Sequence, residues 1–249
     1  MGITPMPDLS TRTAADEMMD DFSITDVSLT RALEDLRKVN GLLGGYRSVI
    51  APLAGIIAKH GTSAMHPVRI LDVGTGIADI PEYVVRWADR RGLHVEFVAL
   101  DANPATVVYA GRTLGERLPS ELRDRIHLAV GDALALPYTT SEFHVTMSNL
   151  FMHHLDPDDA VEHLRSLQAA SSNGILVNDL HRHPLAYHAI RILAPFLSGS
   201  PMFHHDAPLS VARAFSRADL EDLARRACFP HPRISWHWAF RWSLSTLQD

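Results

Sequence analysis

The sequence contains one cysteine, Cys228, in 249 residues. A lone thiol makes no internal disulfide and no thiolate zinc site, so neither device can hold this fold together. Cys228 lies in LARRACFP, a helical register, and is read as a small buried residue. No window reaches eighteen consecutive apolar residues, so no membrane-spanning helix is expected. The opening MGITPMPDLSTRTAADEMMDDF has no basic stretch leading into an apolar one, and the expectation is a cytoplasmic protein with no membrane partner. Positive charge is also short: 23 Lys and Arg against 29 Asp and Glu leave a net charge of -6. Phosphate backbones demand a clustered excess of Lys and Arg, so nucleic acid is excluded as a partner. Fixed-period repeats, low-complexity tracts and Gly/Ser linkers are absent as well, which leaves one main domain whose oligomeric state stays open, monomer or homodimer.

What is present is an ordinary globular composition, 46% hydrophobic and 21% charged. Residues 1 to 12 are expected to fray. Leu29, Leu33, Leu36 and Val39 recur at helical spacing, and NGLLGGYRSVIAPLAGIIAKHG reads as a second helix broken at Gly44 and Gly45. Residues 1–66 are thus a helical extension that could form a lid over a domain spanning 67–249. Within that domain VRILDV, VEFVAL, IHLAV, FHVTM and GILVND are apolar runs too short for helices, separated by amphipathic stretches. That alternation is the pattern of an α/β fold with a Rossmann-like, doubly wound parallel sheet. Helix starts agree with it: Asn103 before Pro104, Asp156 before Pro157, and Ser216 with Asp219 three residues on, stapled by Phe215 and Leu220. HPRISWHWAF and RWSLSTLQ read as an antiparallel hairpin at one edge.

In such sheets ligands bind beyond the carboxyl ends of the strands. LDVGTGIAD, residues 71 to 79, follows the first strand, and Gly74 and Gly76 would let backbone approach a ligand. Asp101 closes the second strand, where an acidic side chain can accept both hydroxyls of a ribose. Two cofactor classes then compete, a nicotinamide dinucleotide and S-adenosylmethionine (SAM). A dinucleotide fingerprint wants a third small residue near the pyrophosphate, and that position is Asp79, whose charge would repel it. Beside a sulfonium the same carboxylate is harmless or helpful.

VRILDVGTGIADIPEYV, the acidic end of FVALDA, GDALALPY and FHVTMSNLFMHHL together resemble, in order, the motifs of class I SAM-dependent methyltransferases. The resemblance covers roughly residues 67 to 180. It implies a seven-stranded sheet with an antiparallel last strand, matching the terminal hairpin. It further implies that Asp72, Gly74 and Gly76 line the methionine part of SAM and that Asp101 binds the ribose. Ala102, Asp132 and Ala133 would flank the adenine, and Asn149 and Leu150 would lie beside the cofactor. NGLLGGYR resembles the segment before the core in quinone-type small-molecule methyltransferases, where Tyr46 and Arg47 could close over the cofactor and Arg47 could pair with its carboxylate.

Position sorts the fifteen histidines. His60, His66, His94, His127, His144 and His163 fall away from the expected cleft. His153 and His154 follow the fourth strand, and Asp179 and His181 follow the fifth, at the edge where the methyl group would point. These four are the candidate acid/base residues, since an imidazole titrates near neutrality. His204, His205 and Asp206 are placed in a loop within a substrate-covering insertion around 183–215. With His181 they could form a two-His-one-carboxylate site, but no H-E-x-x-H or C-x-x-C supports a metal, and none is assigned. Phe151, Met152, Met202, Phe203 and Trp236 could build an apolar acceptor pocket. The expected function is methyl transfer from SAM to a small molecule, an aromatic or polyketide hydroxyl or a quinol carbon of the kind met in secondary metabolism. The alternatives are an NAD(P)-dependent oxidoreductase and a SAM-binding paralogue without activity.

Overall fold

The computed structural model describes residues 8–61, 63–138 and 140–248. Seven strands, β1 (Val68–Val73), β2 (Val95–Asp101), β3 (Ile126–Val130), β4 (Val145–Asn149), β5 (Ile175–Leu180), β6 (Arg233–His237) and β7 (Arg241–Ser245), form one sheet in the order β3-β2-β1-β4-β5-β7-β6. β1 to β5 pair in parallel, whereas β7 is antiparallel to both β5 and β6. The chain winds outward from β1 to β3 and then returns to the other side of β1 as β4. The carboxyl ends of β1 and β4 therefore part, and a crevice opens there.

The helices among the described residues are α1 (Val27–Leu42), α2 (Gly45–His60), α3 (Asp79–Asp89), α4 (Pro104–Arg117), α5 (Ser120–Arg123), α6 (Pro157–Ala170), α7 (Pro184–Leu197), α8 (Pro201–Arg213) and α9 (Arg217–Arg226). One sheet face packs on α2 and α3, with Leu53, Ile57, Val84 and Val85 meeting Val68, Ile70 and Leu176. The other packs on α6 and α9, where Leu164, Leu167, Leu220 and Leu223 meet Leu71, Val177 and Leu244. Both faces being covered, β1 reads as a nearly continuous apolar run. α1 lies apart from the sheet, with Leu29 and Leu33 against Ile77, Ala110 and Met202. Gly44, at φ +77°, makes the turn between α1 and α2, which are bent by 65°. No single helix among the described residues is long and apolar enough to cross a membrane.

The expected caps at Asn103 and Ser216 form, the second as a reciprocal capping box with Asp219. Asp156 precedes α6 as expected, but its side chain makes no capping hydrogen bond. Three expectations are corrected. His204, His205 and Asp206 lie inside α8, not in a loop, because Pro201 supplies its first turn and the Ser200 hydroxyl accepts from the Phe203 N–H. Cys228 is exposed at φ +62°, just past α9, so the helical register ends before it. Of the residues expected to fray, 1–7 lie outside the described residues, but Arg12 is anchored. Its guanidinium donates to the carbonyls of Arg213, His153 and Leu155 and lies 3.9 Å from the Phe215 ring centroid.

The segment after Arg12 is tied down by buried Asp206, which accepts from the backbone N–H of Met18 at 2.8 Å and Met19 at 3.0 Å. Asp206→Ala strands both donors and should cost about 1 to 3 kcal/mol. Denaturant midpoints measure the loss, and protease cleavage within residues 8–24 should rise; unchanged protection would refute the tether.

Candidate active site

The chain leaves β1 through a turn with left-handed conformations at Gly74 (φ +73°), Gly76 (φ +56°) and Ala78 (φ +55°). The two glycines serve different ends. A Cβ at Gly74 would fall 2.4 Å from the Phe151 ring, whereas one at Gly76 would meet nothing within 4 Å, so Gly76 keeps an open cradle at the start of α3. Asp101 Oδ2 accepts from Gly76 N–H at 2.9 Å and Oδ1 from Asn103 N–H at 3.0 Å. Each oxygen keeps a lone pair for a diol. Burial pushes the Asp101 carboxyl up, and those two N–H groups work against the shift.

Asp72 is fully buried, with Oδ2 accepting from the Thr75 hydroxyl at 2.7 Å and Oδ1 making no hydrogen bond. Burial, aided by the nearby charges of Asp79 and Asp101, pushes it up to about 7. Asp79 is raised by burial too, and the Asn40 side chain donates to it at 3.0 Å. The open cradle, the orphaned Asp72 oxygen and the pre-set Asp101 fit a cationic, ribose-bearing cofactor. Tyr46 stacks on Tyr83 with centroids 4.6 Å apart, and Arg47, beside it, is exposed. Ala102 and Asp132 are exposed and Ala133 is buried, and Asp132 caps its own turn through Leu134 N–H.

β4 ends in Asn149, whose Oδ1 accepts from Asn178 in β5 at 2.7 Å. Leu150 follows at φ +52°, and this left-handed step leads into a 3-10 turn, Met152–His154. That turn sets His153 against Asp179 twice, Nδ1 to Oδ1 at 2.7 Å and backbone N–H to Oδ2 at 2.8 Å, with both residues buried. Burial alone would raise Asp179, but the His153 charge and hydrogen bonds outweigh it and hold the carboxyl below its usual range. An ionised carboxylate only accepts, so Nδ1 carries the proton and Nε2 is the basic nitrogen.

Nε2 of His153 faces Glu17 Oε1 at 3.6 Å. Glu17 is buried, Oε1 has no hydrogen-bond partner, and burial pushes the carboxyl up to about 7. His154 Nδ1 lies 2.7 Å from Asp20 Oδ1, and Arg213 joins Asp20 at 2.8 Å while donating to the carbonyls of His153 and His154. Sequence reasoning missed Glu17, Asp20, Arg12 and Arg213, which lie on the N-terminal segment and α8, far along the chain from MHHL. It also set aside His163, which is buried with Nδ1 3.3 Å from the Ala133 carbonyl and its ring 5.4 Å from Phe151. Burial holds His163 down at about 4, so it is a neutral wall of the cleft.

The structure thus unites His153, His154 and Asp179 but leaves His181 elsewhere. That ring packs among Trp242 and His183, with centroids 4.9 and 5.2 Å away, and burial together with His183 and Arg182 lowers it to about 4. His181, His204, His205 and Asp206 do not converge on a metal site. Among the described residues the one group with ligand atoms close enough for an ion is Glu17, His153 and His154. Met152, Met202 and Phe203 are core residues and Trp236 is exposed, so of the expected apolar pocket only Phe151 reaches the cradle.

A doubly wound sheet in this strand order, with an open glycine turn after β1 and a carboxylate ending β2, is the arrangement expected of a class I SAM-dependent methyltransferase. Residues 70–174, fewer than half of the chain, match the family model described as a methyltransferase domain. No curated protein matches the sequence. An O-methyltransferase family protein from Burkholderia thailandensis has a similar structure at TM-score 0.63 and 13% identity, covering 94% of this chain and 63% of that one. An O-methyltransferase family 2 protein from Planctomyces limnophilus, in complex with apigenin, aligns at TM-score 0.58 and 13% identity over 95% of this chain and 63% of that chain. Magnesium protoporphyrin IX methyltransferase from Synechocystis, with bound S-adenosylhomocysteine (SAH), aligns at TM-score 0.54 and 13% identity over 83% and 84%.

Asp101→Ala should lose most SAM affinity while staying folded, since each lost charge-assisted hydrogen bond is worth roughly 1.5 to 3 kcal/mol. Calorimetry reads this, and an unchanged affinity would refute the ribose contact. A second expectation concerns Glu17. Between its ordinary value and about 7 the folded protein keeps a proton that the unfolded chain has released, so stability falls as pH rises through that window. Glu17→Gln should therefore gain melting temperature relative to wild type between pH 5 and 8; parallel pH profiles would exclude the shift.

Proposed function

We propose that the enzyme methylates a hydroxyl or acidic carbon of a small aromatic or polyketide-like acceptor, with His153 as base and Asp179 as its positioning residue. The observation that carries this reading is the buried His153–Asp179 contact at the carboxyl edge, joining the turn after β4 to Asp179, which lies within the end of β5 and not after it as expected. Bound SAM supplies an electrophilic methyl group to an in-line displacement. Alignment of the acceptor contributes roughly 7 to 11 kcal/mol, and a well-placed base about 10² to 10⁴ in rate. His153 Nε2 receives the proton, and Asp179 stabilises the imidazolium through Nδ1–H. Glu17, on the strapped segment 8–24, walls the space in front of Nε2. Burial pushes its carboxyl up to about 7, so near neutral pH it carries less negative charge than an exposed glutamate would. The O-methyltransferase family proteins among the structural neighbours, one of them in complex with apigenin, support an acceptor of this kind. Glu17, His153 and His154 could instead bind an ion, but that would occupy the nitrogen the base needs.

His153→Ala should lower turnover by about 10² or more with SAM affinity nearly intact, and Asp179→Asn should act more mildly. His94→Ala, just before β2 at the opposite end of the sheet, should be nearly silent. Methyl gain by candidate phenols, read by mass spectrometry, should survive chelator treatment. Loss restored by one divalent ion would turn Glu17, His153 and His154 into ligands, and unchanged turnover in His153→Ala would reduce the imidazole to a pocket wall.

A further inference from the structure

Arg241 opens β7, opposite Leu180 of β5 and His237 of β6. Its side chain shares the sheet face of Asn178, which reaches Ser48 of α2 at 2.7 Å, so the guanidinium lies beneath α2 at the carboxyl edge of β5. Arg241 is only 2% exposed, and Nε and Nη1 make no hydrogen bond to any described residue. No carboxylate among the described residues forms an ion pair with it, which distinguishes it from Arg182 and Arg213, each held by an aspartate. Burial lowers its pKa to about 10, and the charges that oppose this are Asp179, from the His153 dyad, and Asp79, after the glycine turn. The guanidinium is thus close enough to Asp179 and Asp79 to feel the charge of both.

A buried, unpaired guanidinium is strongly unfavourable, and its fork matches a carboxylate with two parallel N–H donors. Asp179 and Asp79 would repel a doubly charged phosphate more than a singly charged carboxylate. We propose that Arg241 binds a carboxylate in the ligand cleft, either that of the methionine part of SAM or one carried by the acceptor. This rests on the cofactor assignment above. It transfers to a buried residue the role that resemblance gives to Arg47, which is exposed.

The test is calorimetry on wild type, Arg241→Gln and Arg241→Lys, with far-UV circular dichroism to establish folding. One arm compares SAH with its decarboxylated analogue. The other compares benzoate with benzamide at saturating SAH. Wild type should favour the carboxylate at least tenfold in one arm, Arg241→Gln should erase that preference, and Arg241→Lys should shrink it. The arm that responds names the source of the carboxylate. If Arg241→Gln does not fold, a reduced preference in Arg241→Lys carries the result. No preference in wild type in either arm, or a preference kept in full by the folded variants, overturns the proposal while leaving SAH binding intact. Wild type that binds neither SAH nor its analogue would instead overturn the cofactor assignment, and this inference with it.

Discussion

Five carboxylates are withdrawn from water at one edge of the sheet, and most of the site follows from how each is compensated. Asp179 has His153 and backbone N–H donors and stays ionised. Asp101 has two N–H donors and stays poised for a diol. Asp72 and Glu17 have too few partners and hold their protons up to about neutrality. Asp79 falls between, with one amide donor. In a medium of low dielectric such groups attract a cation strongly, and a sulfonium entering this edge meets negative potential already in place.

The strand-order reversal explains why these groups meet. Asp72 and Asp101 end neighbouring parallel strands, as do the segments carrying His153 and Asp179. Alternating apolar runs and helix starts make that arrangement readable from sequence, and with it the glycine turn, the place of Asp101 and a set of four edge candidates, His153, His154, Asp179 and His181, from which only packing selects the His153–Asp179 contact. The terminal hairpin was equally legible, because two β-rich stretches with a short turn between them have few other options.

What was hidden depended on long-range packing. Nothing in ADEMMD marks Glu17 or Asp20 as site residues; their role arises because Asp206 and Arg213, on α8, draw that segment across the 3-10 turn. α8 was missed as a helix because its histidines suggested a ligand-bearing loop, although Ser200 and Pro201 are an ordinary helix start. Asp179 and His181 share a parity and would face the same side of a longer strand, but β5 ends at Leu180, and His181 is drawn away by its backbone pairing with Phe215 and Phe240. Arg241 gave no sequence signal, since its burial depends on β7 inserting between β5 and β6.

Leu150 holds a backbone conformation that a leucine adopts at a cost of roughly 1 to 2 kcal/mol, one residue beyond β4 and three before His153. Glycine or asparagine would remove that cost, yet would also let the peptide before the 3-10 turn swing. Relief of backbone strain and stiffness of the turn that carries His153 therefore favour different residues at this position. A library sorted only for heat resistance should enrich small or amide side chains at 150, and one sorted for methylation should keep the branched residue.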